Sequence, residues 1–217
     1  FIADMMEKRR EKYEAAADVV IQTDNKSILE ISEELISKLT ELDEIMFEKF
    51  FPDEYLGSTY KIPFEKLYEQ GYRGVIFDID NTLVPHGAPA DERAKRLFQR
   101  LREIGFESCL LSNNQKKRVE MFNQEIQTHY IYNALKPARK NYLHAMEIMG
   151  TDQTNTLFVG DQLFTDVWGA KRVGIHNILV HPINPKEEIQ IVLKRYLEKI
   201  VLHFYKKSKK RLKKVAN

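Results

Sequence analysis

The most informative segment of the chain is Gly74-Val75-Ile76-Phe77-Asp78-Ile79-Asp80-Asn81-Thr82-Leu83-Val84. Its β-branched and aromatic residues predict a buried strand, and a strand buried on both faces belongs to a parallel sheet between helices. The run ends in two carboxylates, Asp78 and Asp80, and strand alternation places both on the same side. Ligands of such sheets bind beyond the carboxyl ends of the strands, so the pair is a candidate catalytic site. The alternative is a pair of turn carboxylates that cap the next element.

Bulk properties narrow the class of protein. The chain has 217 residues and a formal net charge of +2, so no global field requires a nucleic-acid partner. Its single cysteine, Cys109, excludes an internal disulfide framework and favours a reducing, cytoplasmic compartment. The apolar surroundings of Cys109 predict a core residue, not a nucleophile. Because the sequence begins at Phe1 and not at Met, we expect a piece of a longer or processed product.

Two further predicted strands end in polar residues. The strand predicted over 106–111 is followed by Ser112-Asn113-Asn114, where a hydroxyl and backbone donors can hold a phosphoryl oxygen or serve as an ordinary helix N-cap. The strand predicted over 130–135 is followed by Lys136, which offers a point charge to a phosphoryl oxygen. Taken alone, Lys136 would be assigned to the surface.

The last part of this pattern again places carboxylates after a strand. The strand predicted over 156–159 leads into Gly160, Asp161 and, five residues later, Asp166. A fifth strand is predicted over 176–181, and helices are predicted over 91–104, 116–127 and 138–149. Strands that alternate with helices predict an α/β fold with a doubly wound parallel sheet, so the polar clusters share one edge.

Four motifs therefore occur in order, each after a predicted strand: Phe77-Asp78-Ile79-Asp80-Asn81-Thr82-Leu83-Val84, Ser112-Asn113-Asn114, Lys136-Pro137 and Gly160-Asp161-Gln162-Leu163-Phe164-Thr165-Asp166-Val167. This set strongly resembles the haloacid-dehalogenase-like (HAD) superfamily, in particular its YqeG-type, subclass IIIA phosphatases. The resemblance runs from about residue 46 to about residue 185. It implies a three-layer Rossmann-like parallel sheet and a phosphatase domain over 46–185.

The same resemblance implies a Mg²⁺-dependent hydrolysis of a phosphate monoester through an aspartyl-phosphate. Asp78 would be the nucleophile, and Asp80 would act first as general acid and then as general base. The implied Mg²⁺ ligands are the side chains of Asp78 and Asp161 and the carbonyl oxygen of Asp80, with Asp166 either reaching the ion through water or steadying Lys136. The implied phosphate-binding residues are Ser112 and Lys136, with backbone donors from Asn81, Thr82 and Asn113.

The sequence constrains the substrate less than it constrains the reaction. The segments 83–112 and 114–136 are too short to hold a cap domain, and an uncovered site suits bulky phosphate esters such as lipid head groups. Some relatives in this family are phosphatidylglycerophosphate phosphatases, which makes that lipid the leading substrate. The alternatives are a soluble sugar phosphate or nucleotide, or a non-catalytic binding module that keeps the fold. His86, in the loop after the first motif, either lines the entrance or is an ordinary solvated histidine.

The amino-terminal residues form a separate predicted region. Residues 1–45 read as a helical extension, and residues 1–43 resemble the carboxyl end of shikimate kinases through Arg9 to Tyr13, Ala17 to Ile21 with Thr23, and a helix from Ser27. The chain has no Gly-x-x-x-x-Gly-Lys-Ser/Thr loop, so it offers no recognisable site for ATP phosphates. We expect a remnant of a truncated shikimate kinase–phosphatase fusion. An unrelated helical extension is the alternative.

The carboxyl-terminal region, 186–217, combines an amphipathic helix over 186–205 with a basic run over 206–214. Such a run beside an amphipathic helix predicts peripheral contact with the anionic inner face of a membrane. A solvated tail after a helix that packs on the core is the alternative. Nucleic-acid contact is not indicated, because no aromatic residues are interleaved with the cations.

Overall fold

The computed structural model describes residues 26, 47–184, 198–199 and 201–209. The chain divides into two compact units, and residues 49–207 form the unit that carries the elements below. The helices predicted within 1–45 lie outside the described residues, as do residues 185–197 and 210–217. The shikimate kinase resemblance and the domain boundaries therefore stay predictions.

A parallel sheet lies at the centre of this unit. Within the described residues it has six strands: β1 Glu54–Leu56, β2 Gly74–Phe77, β3 Glu107–Leu111, β4 His129–Ile131, β5 Thr156–Gly160 and β6 His176–Val180. Their order is β1-β6-β5-β2-β3-β4, and every neighbouring pair is parallel. The predicted doubly wound sheet is confirmed, with β2 in its interior.

Two strands differ from the prediction. The edge strand β1 was not predicted, because three half-buried residues are too few to show alternation. Strand β4 stops at Ile131, whereas the apolar run predicted a strand to Leu135. It stops because Asn133 and Leu135 have left-handed backbone angles, φ 46° and 52°, which a strand does not allow.

The helices predicted over 91–104, 116–127 and 138–149 are present, and two shorter helices lie outside these ranges. They are α1 Phe64–Glu69, α2 Glu92–Ile104, α3 Lys116–Ile126, α4 Arg139–Met149 and α5 Trp168–Arg172, with a π-helical turn over Leu163–Val167 before α5. Helix α2 shows why its ends are readable in the sequence. The Ala94 amide donates to Asp91 Oδ1 over 2.8 Å at its start, and Gly105 adopts φ 104° at its end.

The helices cover both faces of the sheet. Residues of α1, α2 and α3 pack in one apolar cluster with Phe77 and Leu110, whereas residues of α4 and α5 pack in a second with Ile76 and Phe158. Every residue of β2 is buried, which explains its unbroken apolar run. Cys109 lies in the second cluster, and burial raises the pKa of its thiol to about 12, which agrees with the predicted core role.

The connections after the first two motifs are short. Between Leu83 and Ser112 the chain forms only α2 and β3, and between Asn114 and Lys136 it forms only α3 and β4. These described segments hold no cap domain, as predicted.

Part of the predicted carboxyl-terminal helix is described. Residues 198–199 and 201–209 are helical, so the helix continues into the start of the basic run. Val201 and Tyr205 are buried, and the Tyr205 ring contacts Phe51 edge-on with 5.6 Å between centroids. None of the described helices has the length and apolar character needed to cross a bilayer.

Candidate active site

The register of the sheet aligns three strand ends. Phe77, the last residue of β2, lies opposite Leu110 on β3 and Val159 on β5. Asp78 is therefore level with Leu111 and Gly160, the last residues of β3 and β5. Ser112 and Asp161 each follow one position later. Because parallel strands all point the same way, the three polar residues lie at one edge of the sheet.

A buried lysine joins two of the carboxylates. Lys136 Nζ lies 2.5 Å from Asp78 Oδ1 and 2.7 Å from Asp166 Oδ1, and its side chain is only 3% exposed. Burial on its own lowers the pKa of Lys136, but the carboxylates of Asp166 and Asp78 outweigh it and raise that pKa well above its ordinary value. Lys136 therefore stays charged and is not a surface lysine.

The carboxylates form a compact cluster. Asp78, Asp161 and Asp166 each offer an oxygen atom within 4.8 Å of the others, and all three are buried. Thr82 Oγ1 lies 3.4 Å from Asp78 Oδ2 and 3.3 Å from Asp161 Oδ1, and its one proton can be donated to only one of them at a time. Burial raises the pKa of Asp78 to about 6 in spite of the nearby Lys136.

This donor set fits a hard divalent cation. Asp78, Asp161 and Asp166 bring three carboxylates within reach of one ion, and Lys136 Nζ contacts two of them. Every ligand atom on offer is oxygen, which is the type that Mg²⁺ prefers. A cation would also relieve the burial penalty that raises the pKa of Asp78.

Asp166 organises the loop that carries Asp161. Its Oδ2 accepts hydrogen bonds from the backbone N–H groups of Asp161, at 3.2 Å, and Gln162, at 3.0 Å. Its other oxygen binds Lys136, so the geometry fits the predicted role of steadying that lysine. Space is tight here, because a Cβ on Gly160 would lie 2.4 Å from Asp166 Oδ2.

The same loop is held from outside the sheet. Glu198 Oε1, from the carboxyl-terminal helix, accepts a hydrogen bond of 2.8 Å from the Leu163 amide. Tyr142 on α4 donates its hydroxyl to the Thr165 carbonyl over 2.8 Å. Two elements therefore fix the backbone between Asp161 and Asp166.

Asp80 belongs to a second network. Its Oδ1 accepts from the Gly87 amide at 2.7 Å and from Arg118 Nη2 at 2.8 Å, and its Oδ2 accepts from Asn114 Nδ2 at 2.6 Å. The carboxylate cluster does not include it. Strand alternation predicted Asp78 and Asp80 on one side, but β2 ends before Asp78 and Asn81 turns the chain with φ 63°.

Arg118 is the site residue that sequence reasoning missed. Its side chain on α3 is 13% exposed, and its Nε and Nη1 are buried with no hydrogen-bond partner among the described residues. The available signal was an arginine four positions after Asn114, in the first turn of the helix that follows the motif. His86, by contrast, is exposed, with Nδ1 4.0 Å from Asp80 Oδ1.

Ser112 and Asn113 shape the loops at the edge of the site. Ser112 Oγ accepts from the Asn114 amide at 3.2 Å, and the N-cap position of α3 is Gln115, so Ser112 is not the helix cap. Asn113 Oδ1 accepts from the Lys136 amide at 2.7 Å, and Asn113 Nδ2 donates to the Lys136 carbonyl at 3.3 Å. The Asn113 side chain thus fixes the backbone of Lys136.

The backbone donors predicted at Asn81 and Thr82 are engaged elsewhere. The Asn81 amide donates to the Val84 carbonyl at 2.7 Å, and the Thr82 amide donates to the Ile79 carbonyl at 3.3 Å. These bonds close the turn after β2, which corrects the prediction. It is the Thr82 hydroxyl, and not its amide, that faces the carboxylate cluster.

The segment before β2, residues 47–73, is called the lead-in here and supports this turn. Thr59 Oγ1 donates to the Thr82 carbonyl at 2.7 Å, and Tyr60 Oη donates to the Leu83 carbonyl at 2.5 Å. The Phe50 ring packs edge-on against Phe164, with 5.0 Å between centroids. The aromatic lead-in therefore packs on the domain, and part of it positions the first motif.

The chain is similar to several known proteins. The model of the HAD-hydrolase-like family matches residues 133–182. The chain is 36% identical over 164 residues to the "probable phosphatase YqeG" of Bacillus subtilis, which covers 75% of this chain and 95% of that protein. It is 27% identical over 164 residues to phosphatidylglycerophosphate phosphatase 1, chloroplastic/mitochondrial, of Arabidopsis thaliana, which covers 64% of this chain and 45% of that protein. A solved HAD-superfamily (subfamily III A) hydrolase from Legionella pneumophila gives a TM-score of 0.43 at 14% identity, over 69% of this chain and 76% of that one.

Gly160→Ala tests the close packing of Asp166. The added methyl group meets the Asp166 carboxylate, so we expect the free energy of unfolding to fall by about 1–3 kcal/mol. Gly57→Ala is the matched control, because a Cβ there meets nothing within 4 Å. Its effect should stay within about 0.5 kcal/mol. Equal denaturation midpoints for the two variants would show that Asp166 is not confined by Gly160.

Proposed function

Since this chain belongs to the haloacid-dehalogenase-like superfamily and is a phosphatase, we propose that it hydrolyses a phosphate monoester through a phosphoaspartate on Asp78. The observation that carries the proposal is the 2.5 Å contact between Asp78 Oδ1 and Lys136 Nζ, at the buried end of an interior strand. A carboxylate can attack a phosphate only if positive charge offsets their repulsion, and Lys136 supplies one such charge.

In the first step Asp78 attacks phosphorus. A new P–O bond forms to its carboxylate, the ester P–O bond breaks, and the leaving alkoxide takes a proton from Asp80. In the second step Asp80 accepts a proton from water, the water oxygen bonds to phosphorus, and inorganic phosphate leaves Asp78. One residue serves in both steps because it is an acid in the first and a base in the second.

Asp80 is held in a hydrogen-bond network of its own. In the structure its carboxylate is held by the Gly87 amide, Asn114 and Arg118. We propose that this network holds the Asp80 carboxylate in place until substrate binds. Among the described residues, Nε and Nη1 of Arg118 have no hydrogen-bond partner, which makes this network less stable than a fully bonded one and favours release of Asp80.

The other residues hold the phosphoryl group and the cofactor. Lys136 binds the oxygens of the phosphoryl group. Asp166 keeps the Lys136 side chain charged, and Asn113 fixes the Lys136 backbone. Ser112 lies at the end of β3. We assign the side chains of Asp78 and Asp161 and the carbonyl oxygen of Asp80 to Mg²⁺. When bound, the ion offsets repulsion between nucleophile and phosphate and stabilises charge in the transition state.

For the substrate we propose the phosphate ester of a lipid head group, with phosphatidylglycerophosphate as the leading candidate. Two observations support it. The chain is similar to a phosphatidylglycerophosphate phosphatase, and its described connections after the first two motifs hold no cap domain. We place the enzyme in the cytoplasm, in peripheral contact with the inner face of the membrane.

Asp78→Asn tests the nucleophile. The amide has the shape of the carboxylate but cannot form the phosphoaspartate, so turnover of an aryl phosphate should fall at least about a thousandfold. The fold should survive because Lys136 keeps Asp166 as its partner. Asp152→Asn is the control, since Asp152 is exposed and precedes β5 at the opposite edge of the sheet. Residual activity of a few per cent in Asp78→Asn would contradict the assignment.

Asp161→Ala tests the metal site. Loss of one buried carboxylate should weaken Mg²⁺ binding by more than about tenfold, measured by calorimetric titration. Turnover should decline in parallel and should not recover at ordinary Mg²⁺ concentrations. Asp152→Ala provides a matched removal of an exposed carboxylate. An unchanged binding isotherm in Asp161→Ala would remove that residue from the ligand set.

A comparison of esters tests the substrate. Purified protein with Mg²⁺ is assayed for phosphate release from phosphatidylglycerophosphate in mixed micelles, glycerol 3-phosphate, a sugar phosphate and a nucleoside monophosphate. We expect the highest kcat/KM for the lipid, because a site whose described connections hold no cap domain gains from contacts beyond the phosphate. A higher kcat/KM for a soluble ester would replace the lipid proposal by a soluble substrate.

A further inference from the structure

An unusual side chain precedes the lysine of the site. Leu135 is 73% exposed, and it is the most exposed large apolar side chain among the described residues. Its backbone has φ 52°, in the left-handed region that a branched side chain rarely adopts. A residue that is strained and also exposed does not serve the core, so a role outside folding is indicated.

The loop around Leu135 is firmly held. The Ala134 amide donates to the Ser112 carbonyl at 2.9 Å, and the Ala138 amide donates to the Leu135 carbonyl at 2.8 Å. Asn141 Nδ2 on α4 donates to the Ala134 carbonyl at 2.9 Å. Backbone bonds on both sides therefore fix the position of Leu135, at the carboxyl edge of the sheet beside Lys136.

The neighbouring surface combines apolar and basic side chains. Tyr132 is 39% exposed and Leu143 is 45% exposed, and the exposed Arg139 and Lys140 lie one turn of α4 before Leu143. Residues 132–143 include no acidic side chain. Neither Arg139 nor Lys140 forms an ion pair with any residue that the structure describes. We name Tyr132, Leu135, Arg139, Lys140 and Leu143 the apolar-basic rim.

We propose that the apolar-basic rim docks this phosphatase on the surface of an anionic phospholipid bilayer. The inference rests on the proposed lipid substrate and adds the surface by which the enzyme reaches it. Leu135 enters the acyl region, whereas Arg139 and Lys140 contact lipid phosphates at the head-group level. Because Leu135 adjoins Lys136, docking brings the carboxyl edge of the sheet towards the head groups.

The chemistry favours a bilayer over a protein partner. A bilayer offers acyl chains directly beneath a layer of anionic phosphates, and residues 132–143 supply apolar side chains and cations but no acidic side chain. A rigid protruding leucine suits a fluid surface, which needs no matching pocket. The rim also lies next to the site, so the same surface supplies the substrate that the site is proposed to cleave.

Leu135→Asn is the decisive variant, because asparagine tolerates the left-handed backbone but cannot enter the acyl region. The full chain is co-sedimented with vesicles of phosphatidylcholine alone and of phosphatidylcholine mixed with phosphatidylglycerol. We expect the wild type to bind the mixed vesicles and Leu135→Asn to bind them about tenfold more weakly. Met121→Asn is the matched control, since Met121 is 38% exposed on α3, on the other face of the sheet. Its binding should equal that of the wild type.

Arg139→Gln/Lys140→Gln should weaken binding to the mixed vesicles and make the residual binding less sensitive to salt. Turnover of a soluble aryl phosphate should be unchanged in all of these variants, which shows that they fold. Equal vesicle binding by the wild type and Leu135→Asn, or no binding by the wild type, overturns the docking surface. Either result leaves the lipid substrate to be decided by the comparison of esters. A preference for a soluble ester contradicts only the proposed lipid substrate. The proposed docking surface is tested separately, by whether vesicle binding depends on Leu135.

Discussion

A buried ammonium between two carboxylates is the interaction on which the site depends. Lys136 Nζ bonds Asp78 after β2 and Asp166 in the loop after β5, while its own backbone follows β4. Three separate parts of the chain are thus joined by one charge. Removing one partner of such a buried group typically costs about 3–5 kcal/mol, so the site and the fold around it stabilise each other.

This arrangement explains why the supporting residues lie where they do. Asp78, Asp161 and Asp166 would repel one another if they were buried without a cation. Hydrogen-bond donors therefore lie around them. The Asp161 and Gln162 amides donate to Asp166, and the Thr82 hydroxyl lies between Asp78 and Asp161. Asn113 then fixes Lys136 from its backbone side. Three carboxylate oxygens within reach of one another make the cluster suited to a divalent ion.

Sequence reasoning recovered the parts that depend on regular structure. Strand β2 was readable because both of its faces are buried, and α2 because Asp91 and Gly105 mark its ends. The parts that were missed depend on single turns. The orientation of Asp80 follows from the turn at Asn81, and the pairing of β1 with β6 involves only three residues.

Contacts made across the fold were also beyond sequence reasoning. Arg118 is one cation among many on a helix until the fold places it against Asp80. Nothing in the lead-in indicates that Thr59 and Tyr60 bind the carbonyls of the first motif. Leu135 would be counted in a strand by its apolar character, and only its backbone angle shows that it protrudes.

The bond between Glu198 and the Leu163 amide has a consequence for biosynthesis. Leu163 is buried, and an amide there without an acceptor is costly, by about 1–3 kcal/mol. The acceptor arrives 35 residues later in the chain. A nascent polypeptide that has left the ribosome only as far as β6 has the six strands that the structure describes but lacks this support for the loop between Asp161 and Asp166. The loop can therefore assemble fully only after Glu198 has emerged, later than the six described strands.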